Sequence, residues 1–88
     1  MELNVIKELQ TLEMMVLNWK NDYLSMKTSG GGNEFLADEF HEEITTHVSP
    51  FVRRLCQNNH LSFSEAHEFL GVCYNHVEHL RRSLIEGI

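Results

Sequence analysis

The chain has 88 residues, thirteen of them acidic and seven basic, a formal net charge of −6, and 42% hydrophobic residues. That length suits one domain, and that mixture of apolar and charged residues is globular, not disordered. The negative field repels phosphate backbones and anionic lipid, and no run approaches the ~18 apolar residues of a membrane span, so neither nucleic acid nor membrane is an expected partner.

In chain order, Met1-Glu2-Leu3-Asn4 is acidic where a secretory signal is basic, and Lys7, Glu8 and Glu13 interrupt any apolar run, so the cytoplasm is the expected location. The spacing predicts a first helix over about 3–27. Val5, Leu9, Leu12, Val16, Trp19, Tyr23 and Met26 alternate steps of four and three, an a/d seam over three heptads. Leu3, Ile6, Met14, Leu17 and Leu24 form a second apolar stripe on the opposite side. Glu13 and Lys20 separate the stripes on one flank, Lys7 and Asp22 on the other. A helix packed on one side only needs no second apolar face. Either the helix is central to its bundle, or the second stripe meets another chain.

Thr28-Ser29-Gly30-Gly31-Gly32-Asn33 is the strongest break. Its glycines supply left-handed conformations that end a helix. A phosphate-cradling loop would need a preceding strand and a following Lys-Ser/Thr pair, and the pattern offers neither. The segment 28–33 reads as a connector.

A second helix is expected over about 34–58, with Leu36, Phe40, Ile44, Val48, Phe51, Val52 and Leu55 inward and Asp38, Glu39, Glu42 and Arg53 outward. Pro50 removes a hydrogen bond to Thr46 and crowds its carbonyl, so a kink is expected there. Because the apolar stripe keeps its phase, a kink is favoured over a fresh helix starting at Ser49-Pro50. Asn58-Asn59-His60-Leu61-Ser62 forms the second break, and Ser62 with Glu65 has capping-box spacing. A third helix over about 63–86 turns Ala66, Leu70, Cys73, Val77, Leu80 and Leu84 inward, with Phe63 and Phe69 on its flanks. Acidic residues gather near the helix starts and arginines toward the ends, where each favours the helix dipole by ~0.3–1 kcal/mol. That placement accounts for both Arg-Arg pairs without a ligand.

Six histidines stand out: His41, His47, His60, His67, His76 and His79. His47 falls within the apolar arc of the second helix, and His76 at the core edge of the third. His41, His47, Cys73, His76 and His79 are the candidate ligands for zinc, or for one axial position on a haem. A di-metal bundle site uses repeated Glu-x-x-His motifs, whereas this chain has Asp38-x-x-His41, Cys73-x-x-His76 and His76-x-x-His79. The structural alternative is partly exposed or hydrogen-bonded histidines, and it is the favoured reading, with no cofactor expected. Cys73 beside His76 resembles a thiol–imidazole pair, but a seam cysteine should be buried and inert, and Cys56 the more accessible thiol. The two cysteines lie at different heights, so reduced thiols are expected. Residues 51–70 have a helix–turn–helix cadence, yet Ser64, Glu65, His67 and Glu68 make too acidic a start for groove entry.

These features predict an all-α, antiparallel three-helix unit, kinked at Pro50 and assembling as a helical-bundle dimer. The expected function is a non-enzymatic protein-interaction module, an adaptor, chaperone or regulator. It would pair with itself or another helical chain through Leu3, Ile6, Met14, Leu17 and Leu24. A zinc- or haem-binding bundle is the alternative.

Overall fold

The computed structural model of the chain describes residues 2–29 and 31–86, so Gly30 of the predicted connector lies outside them. Helix α1 runs Leu3–Ser25 and α2 Glu34–Glu43; a π-helical turn, Ile44–Val48, leads directly into α3, Ser49–Gln57; α4 runs Phe63–Glu86. Among the described residues there is no strand, and α2, the π turn and α3 form one continuous rod. The result is the expected all-α three-helix unit, 47 × 17 × 17 Å. Its radius of gyration, 14.4 Å, exceeds the roughly 12 Å of a compact chain this long. A rod only three helices thick leaves much side-chain surface outside.

The distortion demanded by Pro50 takes the form of the π turn. Its Ser49 N–H bonds to the Ile44 carbonyl, five residues back. Widening the helix by one residue moves the backbone away from the proline ring while keeping helical torsions, so the rod bypasses the missing bond without breaking. This insertion also turns His47 outward. The sequence places His47 in the apolar arc; in the structure it is exposed, and its ring lies 6.3 Å from Trp19.

Two polar devices set the connections. Asn33 is buried; its amide donates to the Thr28 carbonyl at 2.8 Å and its oxygen accepts from the Thr28 N–H at 3.0 Å. Gly31 and Gly32 supply the positive φ angles, 84° and 72°, that the reversal between them requires. Helix α1 consequently stops at Ser25, two residues short of the expected end, and Met26 leaves the seam for solvent. At the other end of the rod, Asn59 takes φ 64°, with His60 N–H bonding Leu55 O and Asn59 N–H bonding Cys56 O. These are the two bonds of a Schellman stop, after which Leu61 drops into the core. The predicted capping box follows: Glu65 N–H donates to Ser62 Oγ at 3.0 Å, and Ser62 N–H to Glu65 Oε1 at 2.8 Å.

The core is built from the three seams. Val16, Phe40, Ile44, Val48, Val52, Cys73, Val77 and Leu80 are fully enclosed. Tyr23, also buried, packs its ring 5.6 Å from Phe40 and donates its hydroxyl to Glu43. Lys27 Nζ donates to the Ser83 carbonyl at 2.9 Å, bringing the C-terminal ends of α1 and α4 together; these two helices run parallel. Arg81 reaches Asp38 at 3.4 Å, tying α4 to α2.

Candidate functional site

With one side of α1 committed to the core, its opposite side sorts the five predicted interface residues into two groups. Leu3 (65% exposed), Met14 (58%) and Ile6 (36%) stand in solvent. Leu17 is half-buried, and Leu24 packs against the core. Leu24 is drawn in because it falls about three turns beyond Glu13 on the flank facing α4, near where Lys27 bonds the Ser83 carbonyl. The second stripe therefore straddles two environments: apolar side chains open to water at the start and middle, shielded ones toward the end.

Its polar neighbours matter as much. Every exposed residue of α1 between Gln10 and Asn21 is uncharged: Gln10, Thr11, Met14, Asn18 and Asn21. Glu13 and Lys20 are half-buried on the flank beside α4. Across that flank, α4 presents Val72, 42% exposed, one turn before His76. An apolar stripe gives no weight to amides, so reading the sequence for hydrophobic periodicity alone passes over Gln10 and Asn21. The signal available in the sequence is that, over these three turns of a strongly charged chain, charge is confined to Glu13 and Lys20.

The candidate metal ligands fall in three separate places. His41 stacks on Tyr74, ring centroids 4.9 Å apart, between α2 and α4. His47 lies against Trp19 on α1. Cys73, His76 and His79 follow one another up α4. His76 holds the expected core-edge position: its Nε2 is enclosed, has no hydrogen-bond partner, and lies 3.6 Å from Glu13 Oε2, beyond hydrogen-bond range. The His79 ring meets His76 edge-on at 6.5 Å. Among the described residues no three His, Cys, Asp or Glu side chains converge closely enough to hold a metal ion.

Cys73 is fully buried; burial first, and the Glu13 charge second, push its thiol up to about 12. A thiol held protonated in this way is a poor nucleophile and a poor ligand. Cys56 is half-buried, and both cysteines are free. It borders an apolar recess of about 150 Å³ with Val52, Ala66 and Leu70, and Phe63 at its rim is 83% exposed. No helix among the described residues is long and apolar enough to cross a membrane. No family model matches the chain, and no curated protein or solved structure shows significant similarity to it.

Proposed function

We propose that this chain is a non-enzymatic protein-interaction module, an adaptor, chaperone or regulator that works as a helical homo- or hetero-oligomer. One observation carries the reading: Leu3, Ile6 and Met14 lie in solvent on a face of α1 that the core does not use. That face is charge-poor and contains an adaptable methionine, both features of the central part of protein interfaces. The test is light scattering coupled to gel filtration, with any co-purifying chain identified. Ile6→Glu with Met14→Glu is the paired variant. The expected result is an assembly that is lost in the variant while helicity is retained. A wild-type chain that is monomeric and partnerless at micromolar concentration refutes the reading.

A second reading, zinc held on the flank between α1 and α4, draws on one observation, the unpartnered His76 Nε2 facing Glu13. His79 would have to swing in as a third ligand, and a fourth position would fall to water. Elemental analysis after chelator-free purification, followed by zinc titration of wild type and His76→Gln, decides it. Equal uptake by both proteins, or none by either, removes this reading.

A further inference from the structure

The outer face of α1 follows a second heptad pattern that includes its amides. Leu3, Gln10 and Leu17 recur every seven residues, and Lys7, Met14 and Asn21 fall between them, so the steps alternate four and three from Leu3 to Asn21; Leu24 continues the spacing but packs against the core. Lys7 is the one charged residue in this seam. Resting on the proposed interaction face, we infer that the occupant is a second copy of this chain, its α1 packed antiparallel against the first across a two-fold axis between Met14 and Leu17.

The charge pattern selects both the partner and the direction. A two-fold interface is self-complementary: whatever one copy offers must suit the same patch on the other. Two chains of net charge −6 approach most easily where charge is sparse, and from Gln10 to Asn21 the charges on α1 are Glu13 and Lys20, half-buried and opposite in sign. In the antiparallel register, Met14 faces the second copy's Leu17, and Gln10 its Asn21, each twice by symmetry. Glu13 and Lys20 share the flank nearest α4, so each meets its opposite charge across the axis. Parallel pairing sets Lys7 on Lys7 and Glu13 opposite Asn18, leaving both flank charges unanswered. Amides placed inside an apolar seam fix register, because any slip strands them against Leu or Met. Val72 of α4 lies beside the same flank and extends the covered area.

Sedimentation of the full chain at micromolar concentration tests this, and a wild-type dimer is expected. Met14→Glu, at a position exposed in the single chain, yields monomers with an unchanged far-UV spectrum. Lys20→Glu and Glu13→Lys each weaken self-association roughly tenfold, through two like-charge pairs per dimer. Mixing these two proteins in equal amounts restores dimers, because each then offers the charge the other lacks. In a Cys56→Ser background, mild oxidation joins a Gln10→Cys chain to an Asn21→Cys chain in preference to either with itself. Dominant Asn21→Cys self-coupling, or no recovery on mixing, overturns the antiparallel seam. A wild-type monomer whose binding to a purified foreign protein is abolished by Met14→Glu overturns self-pairing while leaving the broader reading in place. A dimer indifferent to Met14→Glu overturns both.

Discussion

Gly71 sits in the interior of α4, eight residues past the Phe63 start, with nothing within 4 Å of where its Cβ would be. Its φ is not positive, so the backbone has no need of glycine there. The surrounding depression, lined by His41, Val72, Tyr74 and Asn75 among others, opens to solvent. Replacing Gly71 with Ala therefore meets no steric cost and removes backbone freedom from the unfolded chain. The helix-interior difference between the two residues is about 0.5–1 kcal/mol in favour of Ala. An unfolding entropy of about 2.1 cal/mol/K per residue gives roughly 0.18 kcal/mol/K for a chain of this length, so Tm should rise by about 3–5 °C. Circular dichroism melts at several protein concentrations, paired with urea titrations, measure it; the urea slope should be unchanged, because native packing is untouched. An unchanged or lowered Tm refutes the argument. If the loss grows with concentration, another chain packs over Gly71 and the added methyl obstructs it.

Tyr23→Phe removes the hydroxyl bonded to Glu43 and leaves that half-buried carboxylate short of a donor; urea unfolding should register a loss of about 1.5–3 kcal/mol. For the thiols, Ellman's reagent should titrate Cys56 in the native protein and both cysteines only in denaturant. Burial, then the Glu13 charge, pushes the Cys73 thiol up to about 12 in the folded chain, against ~8.5 when unfolded. Its contribution is therefore complete below the unfolded value and lost as pH climbs toward the folded one. Wild type should lose stability more steeply than Cys73→Ala between these limits. Ser62→Ala deletes the cap on Glu65 N–H and should cost about 1 kcal/mol near neutral pH. Hydrogen bonds from the Ser62 backbone, then from its side chain, hold the Glu65 carboxyl below its usual range. That stabilisation is present above the unfolded carboxylate pKa and disappears as pH falls through the folded one, so the gap between wild type and variant should narrow in acid.

Helix existence and inward faces were readable because each depends on periodicity, which is local. The seam from Val5 to Tyr23 and the inward face from Ala66 to Leu84 reach the core as spaced, as do Leu36, Phe40, Ile44, Val48, Val52 and Leu55. Phe51, expected inward, is instead half-buried beside Lys7, Thr11 and Leu12, outside the core, because the widened turn before it shifts the phase of the face. The capping box at Ser62 was equally legible, since its two partners are three residues apart. The Schellman stop at Asn59 was less so, because Asn takes the left-handed conformation less predictably than Gly. Of the five interface candidates, three are exposed and two shielded, a division set by how far α4 closes over α1. Periodicity marks a stripe as apolar without saying which neighbour covers it.

The order of residues alone settles three rods, their lengths to within two residues and the sides they turn inward, because backbone hydrogen bonding and side-chain direction repeat within a few positions. Tertiary packing decides what depends on distant residues meeting. Proline's missing bond is resolved by a widened turn that carries His47 out of the apolar arc. Glu13 and His76, 63 positions apart in sequence, come to 3.6 Å only because α1 and α4 lie side by side. Leu24 is covered while Met14 stays in water because Leu24, about three turns beyond Glu13, turns to the flank that α4 covers and Met14 turns away from it.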